Sequence, residues 1–104
     1  MSRWSVRVTE TAERDLASAV LYIKEALANP TAATALVDAF EGCVAALSRS
    51  PEARPLVRDA RLAGAGYRWV PVKGHMAFYT VDSGSREVTI ERVLYGRTNW
   101  AAIL

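Results

Sequence analysis

The stretch that decides the fold is residues 67–95, YRWVPVKGHMAFYTVDSGSREVTIERVLY. It contains three runs rich in β-branched and aromatic residues, each with the length of a strand. Lys73-Gly74 supplies a two-residue hairpin turn in which glycine accepts a positive φ, and residues 82–86 supply a longer hairpin loop. The pattern therefore predicts three consecutive antiparallel strands, at residues 67–72, 75–81 and 87–95.

Upstream of this stretch, the pattern predicts one more strand and then a helix. Residues 4–8, WSVRV, alternate between apolar and polar side chains, which is the period of a strand. Apolar residues then recur at helical spacing from Ala12 to Leu27. Thr9 or Thr11 is the predicted N-cap of this helix, because a hydroxyl can accept a free N–H of the first turn.

A second helix follows after a very short connection. Asn29 is its predicted N-cap and Pro30 its first residue, and Ser50-Pro51 ends it. Two helices joined this tightly form an antiparallel hairpin. Residues 51–66 show no clear period and are expected to form a loop with one short turn.

The predicted fold is therefore α+β and comprises a single domain over residues 1–104. An N-terminal strand leads into an antiparallel helical hairpin, which packs on a small, mostly antiparallel four-stranded sheet. The hydrophobic content of 51% and charged content of 23% are those of an ordinary globular chain. No apolar run reaches the length that a bilayer requires, so no membrane partner is expected.

The single cysteine and the N-terminal residues indicate a cytoplasmic location. Cys43 excludes an internal disulfide, and its apolar neighbours on a helical pattern predict a small core residue. The N-terminal sequence lacks the apolar core of a secretory signal. We therefore expect a chain that works in a reducing compartment.

Charge is distributed unevenly between the two halves of the chain. Residues 1–50 hold five basic and six acidic side chains, a balance of −1, whereas residues 51–104 hold eight and five, a balance of +3. The second half is the better candidate for contact with a polyanion, although the field is weak. This balance permits a nucleic-acid partner without requiring one.

A search for catalytic motifs finds no glycine-rich phosphate loop, HExxH, CxxC or nucleophile elbow. One His and one Cys are also too few for an ordinary all-protein zinc site. We therefore expect neither a metal nor another cofactor.

The remaining chemistry lies in arginines and tyrosines at the ends of the predicted strands. Arg68 begins the second strand, Arg92 lies within the fourth, and Tyr95 and Arg97 end it. These groups could converge at one edge of the sheet or on its open face. The alternative for each is ordinary: tyrosines pack at strand edges, and Arg97 could simply be solvated.

Arg92 is expected to be half-buried, because alternation assigns it to the same strand face as Val88, Ile90 and Leu94. Its structural interpretation is an ion pair with Glu91 or Asp59.

Other basic residues are candidates for contact with nucleic acid or another target. Arg58 and Arg61 lie in the basic loop before the second strand, and Lys73 lies in the hairpin turn beside His75. The functional interpretation is that they position phosphates; the alternative is that they only solubilise the surface.

Several blocks of the sequence resemble toxins of the RelE/ParE superfamily. These blocks cover nearly the whole chain in the correct order: Ala12-Glu13-Arg14-Asp15-Leu16, Asn29-Pro30, Gly66-Tyr67-Arg68, and the segment from Val88 to Trp100 that includes Leu94-Tyr95-Gly96-Arg97. The resemblance implies the toxin of a bacterial type II toxin–antitoxin module, neutralised by a cognate antitoxin protein. It also implies a helical hairpin on a small twisted antiparallel sheet.

The resemblance divides below the superfamily. RelE-like toxins cut mRNA at the ribosome without metal, and their residues match Arg68, Tyr95 and Arg97 as the catalytic set. Two departures weaken this match: the lysine pair before Gly66-Tyr67-Arg68 has no counterpart, and no histidine ends the last strand. ParE-like toxins poison DNA gyrase and need no nuclease site.

The Asn29-Pro30 start of the second helix and the missing lysines favour the ParE-like branch. Cleavage of mRNA at the ribosome is the alternative, and an inactive member that only binds a partner is a third. The sequence leaves open whether the apolar tail, residues 100–104, packs on the sheet or on the antitoxin.

Overall fold

The computed structural model describes residues 3–104. Its elements follow in chain order: β1 (Ser5–Val8), α1 (Glu10–Leu21), a π-helical turn (Tyr22–Ala26), α2 (Pro30–Leu47), a 3₁₀ turn (Pro51–Ala53), α3 (Ala60–Gly64), β2 (Arg68–Val72), β3 (His75–Asp82), β4 (Glu87–Tyr95) and α4 (Trp100–Ile103). This order confirms the predicted α+β class.

The four strands form one mixed sheet in the order β1-β4-β3-β2. β2 and β4 each pair antiparallel with β3, and β1 pairs parallel with β4. The parallel pair is possible because the helical hairpin carries the chain back across the sheet after β1. Lys73 and Gly74, with φ of 47° and 79°, form the predicted turn between β2 and β3.

The predicted N-caps are present at the first turns of both helices of the hairpin. Thr9 Oγ1 accepts the N–H of Ala12 at 3.0 Å, and Asn29 Oδ1 accepts the N–H of Ala32 at 3.1 Å. The first helix does not stay α-helical to its end, because its last turn widens into the π-helical turn Tyr22–Ala26. The connection is then completed by Ala28, a non-glycine residue with φ of 48°.

The hairpin covers one face of the sheet and forms the larger core. Leu36, Phe40 and Leu47 of α2 pack with Tyr79 of β3 and Ile90 of β4, all of them buried. Cys43 lies in this core and is 7% exposed, as its pattern predicted.

The opposite face of the sheet carries a smaller core. It consists of Phe78, Leu94, Val57 and Leu62, which are covered by α3 and by the tail around Trp100. Residues 51–66, expected to hold one short turn, therefore contain both the 3₁₀ turn and α3.

α2 is long and apolar enough to cross a membrane by length and composition alone. Its face bearing Ala33, Leu36, Phe40, Cys43 and Leu47 is buried within the fold. The apolar character of this helix is thus accounted for by its place in the larger core.

Candidate functional site

Two of the predicted site residues, Tyr95 and Arg97, lie at the same end of the sheet. Tyr95 ends β4 and pairs with His75, the first residue of β3. The two rings meet edge to face, with centroids 5.6 Å apart. Arg97 is exposed in the turn that follows, and this turn is held by the Gly96 N–H donating to Gly74 O at 2.9 Å.

Arg68 lies elsewhere on the sheet. It pairs with Tyr79, four residues along β3 from the His75 that faces Tyr95. Four residues of strand span roughly 13 Å. Arg68 Nη1 donates to the backbone carbonyl of Arg54 at 2.5 Å. The structure therefore brings His75, Tyr95 and the Arg97 turn to one end, and it does not bring Arg68 to them.

Arg92 is held by a partner that the sequence did not reveal. Its Nε and Nη2 donate to the two carboxylate oxygens of Asp15 at 2.7 and 2.9 Å. The same carboxylate accepts the N–H of Val93 at 3.0 Å. The hydrogen bond to Asp15 raises the pKa of Arg92, partial burial opposes that shift, and the charge of Asp15 adds to it.

The expected pairing of Arg92 with Glu91 or Asp59 is therefore wrong. Asp59 instead caps α3 by accepting the N–H of Leu62, and Glu91 accepts the hydroxyl of Thr80. Asp15 is the partner because β1 ends at Val8, which pairs with Ile90. Beyond that point α1, rather than β1, lies beside β4.

The face predicted for Arg92 is also wrong, because β4 contains a bulge. Arg92 pairs with Phe78 while Ile90 pairs with Tyr79, which leaves Glu91 without a partner on β3. One extra residue reverses the alternation of every side chain after it. Ile90 thus packs in the larger core and Leu94 in the smaller one, on opposite faces of the sheet.

The candidate target-binding residues Arg58, Arg61 and Lys73 are all exposed, whereas Arg92 is half-buried and paired with Asp15. Arg61 Nη2 donates to the carbonyl of Ala101 at 3.1 Å, which ties α3 to the tail. Trp100 packs on Phe78 with ring centroids 5.3 Å apart, so the tail lies on the sheet within this chain. The roles of these basic residues stay predictions.

An apolar groove of about 720 Å³ lies between the helical hairpin and the end of the sheet that carries Tyr95. Tyr22, Leu27 and Tyr95 line it and are 60%, 55% and 53% exposed. Lys73 and His75 stand at the same opening. Sequence reasoning missed this groove, because it assigned Leu27 to a buried stripe.

The π-helical turn explains the exposure of Leu27. It adds a residue to the last turn of the hairpin's first arm, which rotates the following side chains out of the α-helical stripe. Exposed apolar side chains gathered in one concave surface are typical of a site for another macromolecule.

Tyr79 is the strand-pairing partner of Arg68 on β3, and it is fully buried. Its hydroxyl donates to the carbonyl of Pro51 at 2.6 Å. Burial raises the pKa of Tyr79 to about 12, although the charges of Arg68 and Arg54 act in the opposite direction. A phenol with this pKa keeps its proton at neutral pH and acts as a structural donor.

No group of three or more His, Cys, Asp and Glu side chains among residues 3–104 is arranged to hold a metal ion. The described site is therefore one of arginines, tyrosines and apolar side chains. Such a surface can contact phosphates and bind apolar segments of another chain.

Comparison with protein families supplies a context for this arrangement. The family described as the ParE toxin of the type II toxin–antitoxin system, parDE, matches residues 6–100. The search of curated proteins finds no match.

Two solved structures share the fold over most of the chain. One is the toxin–antitoxin complex RelBE2 from Mycobacterium tuberculosis, with 26% identity, a TM-score of 0.61, and coverage of 89% of this chain and 98% of that one. The other is the chromosomal ParDE system from P. aeruginosa, with 20% identity, a TM-score of 0.69, and coverage of 88% and 95%.

Proposed function

Because the chain belongs to the ParE toxin family of type II toxin–antitoxin systems, we propose that it arrests growth by inhibiting DNA gyrase. The partner of such a toxin is an antitoxin, which would neutralise it by direct binding. Its site of action would be the cytoplasm, where both gyrase and the antitoxin are found.

The separation of Arg68 from Tyr95 and Arg97 carries this proposal. In a nuclease centre, the groups that stabilise charge and the groups that transfer protons must all lie within hydrogen-bond distance of the same scissile phosphate. Arg68 lies four strand residues from the Tyr95 end and is directed to the Arg54 carbonyl. This geometry supports a toxin that acts by binding rather than by cutting RNA.

The apolar groove supports the same proposal. Within residues 3–104, six large hydrophobic side chains are exposed, and three of them, Tyr22, Leu27 and Tyr95, line this one surface. Leaving such side chains in water is unfavourable, so their concentration in one place favours a protein-binding function.

A supercoiling assay with purified gyrase tests this function directly. We expect the toxin to inhibit supercoiling and the cognate antitoxin to restore it. Leu27→Ser, in the groove, should weaken either the inhibition or its reversal by the antitoxin. Leu21→Ser is the matched control, because Leu21 is 57% exposed on the same helical arm but does not line the groove. Full gyrase activity at saturating toxin would refute the proposal.

Ribosome-dependent mRNA cleavage is the second candidate function. It is favoured by the likeness to the RelBE2 complex and by the Gly66-Tyr67-Arg68 motif, with Arg68, Tyr95 and Arg97 as the catalytic residues. Primer extension on mRNA from cells expressing the toxin would then show cuts phased with codons. Those cuts should disappear in Arg68→Ala and Arg97→Ala.

Expression without antitoxin separates both functions from a protein that only binds a partner. If growth continues unchanged while the soluble, folded toxin accumulates, neither inhibitory function holds.

A further inference from the structure

The π-helical turn at the end of the hairpin's first arm changes which residue reaches the apolar groove. α1 lines the groove with Asp15, Ala19 and Tyr22, which recur at the spacing of one α-helical face. If the α-helix continued, the next residue on this face would be Ala26, four positions after Tyr22. In the structure Leu27 lines the groove instead, and Ala26 does not.

Two backbone hydrogen bonds explain the exchange. The N–H of Leu27 donates to Tyr22 O at 3.1 Å, and the N–H of Asn29 donates to Ile23 O at 3.0 Å. A π-helical turn holds one residue more than an α-helical turn. Leu27 therefore follows Tyr22 at the groove, whereas an α-helix would place it behind Ile23, on the buried stripe. The groove gains a leucine side chain in the place of a single methyl group.

This arrangement is unfavourable for the isolated chain. Leu27 is 55% exposed, although the position behind Ile23 would turn it toward the larger core. The next residue, Ala28, has a φ of 48°, which is uncommon for any residue except glycine. Short π-helical turns and strained residues of this kind are frequent at functional sites. The distortion is therefore best explained by a partner that contacts Leu27.

The rest of the groove indicates the chemistry of that partner. Tyr95, on the sheet side, supplies a second apolar wall, and Lys73 and His75 lie at the opening. The only acidic residue of the lining, Asp15, is already paired with Arg92. Lys73 forms no ion pair with any residue in the described range 3–104. An apolar segment with an acidic side chain at its Lys73 end is complementary to this surface.

We propose that Leu27, placed by the π-helical turn, determines which antitoxin segment the groove accepts. The occupant is an apolar segment of the cognate antitoxin, which packs between Leu27 and Tyr95 and carries an acidic side chain beside Lys73. This role rests on the antitoxin partner of the proposed function. It does not depend on whether the target of the toxin is gyrase.

Two single-residue deletions separate the position of the leucine from the length of the turn. Deletion of Ala26 leaves the leucine four positions after Tyr22, so an α-helical turn brings it to the groove. Deletion of Leu27 shortens the chain equally but brings Ala26 there. Isothermal titration calorimetry measures the affinity of each full-length variant for the cognate antitoxin.

We expect the variant without Ala26 to stay within about twofold of the parent affinity, because its leucine still reaches the groove. The variant without Leu27 should bind about ten- to thirtyfold more weakly, as on removal of a central apolar anchor. Losses of equal size in the two deletions would overturn the proposal.

Two substitutions keep the length of the chain and so decide the case if a deletion variant fails to fold. Leu27→Ala should weaken antitoxin binding as much as deletion of Leu27, with a melting temperature close to that of the parent because the side chain is mostly exposed. Leu21→Ala is the matched control, since Leu21 is 57% exposed on the same arm but does not line the groove. Equal affinities of these two variants would contradict the role of Leu27.

The acidic side chain of the occupant is tested by the salt dependence of binding. Lys73→Gln should weaken affinity about two- to fivefold at low salt and make it less sensitive to added salt. Lys24→Gln removes an exposed lysine that lies in the π-helical turn outside the groove lining, so both properties should stay at their parent values. If Lys73→Gln keeps the salt dependence of the parent, the stated chemistry of the occupant is wrong.

The outcomes distinguish this inference from the proposed function. A parent toxin that does not bind the antitoxin refutes both the antitoxin partner and the role of Leu27. Binding that Leu27→Ala leaves unchanged refutes the role of Leu27 alone. Inhibition of supercoiling by the free toxin is measured without antitoxin, so the gyrase function is decided separately.

Discussion

The arginines at the two sides of the sheet are held in contrasting ways. On β4, Arg92 forms a two-point ion pair with Asp15, and the same carboxylate also accepts the N–H of Val93. At the β2 edge, Arg68 and Arg54 donate to backbone carbonyls instead. A half-buried arginine stabilises the fold where a carboxylate neutralises its charge. Without one, its charge stays available to a ligand.

Removing the carboxylate on the β4 side should have the largest effect. Asp15→Ala leaves the Arg92 charge unpaired and the Val93 N–H without its acceptor. We expect the free energy of unfolding to fall by about 2–4 kcal/mol. Urea denaturation measures it. Asp38→Ala is the control, an exposed carboxylate on α2, and it should stay within about 0.5 kcal/mol of the parent. Equal losses in both variants would show that the pair of Asp15 with Arg92 stabilises the fold no more than an exposed carboxylate does.

The second largest loss of stability is expected at alkaline pH. It comes from two buried groups in the larger core, which must ionise there. Burial raises the pKa of Tyr79 from 10.0 to about 12 and that of Cys43 from 9.0 to about 11. Because both folded pKa values lie above the unfolded ones, their contribution to stability is complete below about pH 9. It is then lost as the pH rises toward about 12.

Each unit of raised pKa corresponds to roughly 1.4 kcal/mol, so the loss should be on the order of 1–3 kcal/mol per group. Denaturation midpoints across this pH range measure the loss. Cys43→Ala should remove the part of the stability loss that occurs at the lower end of this pH range, and Tyr79→Phe the part at the upper end. Tyr22→Phe, at an exposed position, should leave the pH profile unchanged. A parent profile that is flat above pH 9 would contradict the assignment.

Removing an arginine at the β2 edge should have the smallest effect on stability. Arg68→Ala loses one hydrogen bond to a backbone carbonyl and leaves no buried carboxylate unpaired. We expect a change below about 1 kcal/mol. Arg92→Ala, measured in the same way, should cost more because it removes a two-point ion pair and leaves the Asp15 charge partly buried. A loss in Arg68→Ala that matched Arg92→Ala would make both arginines structural.

Local features of the fold could be predicted from the sequence. The caps Thr9 and Asn29, the turn Lys73-Gly74 and the strand limits all depend on residues a few positions apart. Their geometry is decided by short-range hydrogen bonds and by the φ angles that each residue tolerates. The helical spacing of apolar residues likewise predicted the part of the larger core that comes from α1 and Ile23, and the burial of Cys43.

The features that define the site depend on contacts far apart in the sequence. Asp15 and Arg92 are separated by 77 residues, and only the parallel pairing of β1 with β4 brings them together. The bulge at Glu91 is marked in the sequence only by two consecutive polar residues, Glu91 and Arg92, and strict alternation was read through them, so Leu94 was assigned to the wrong face.

The burial of Cys43 gives the chain a built-in reporter. It is the only thiol in the sequence, and it lies on the face of α2 that is pressed against the sheet. A thiol reagent can reach it only while the helical hairpin is lifted away, so the labelling rate counts those brief openings. Comparing the labelling rate of the free toxin with that of the toxin bound to its antitoxin would show how far binding slows this local opening, without any engineered probe.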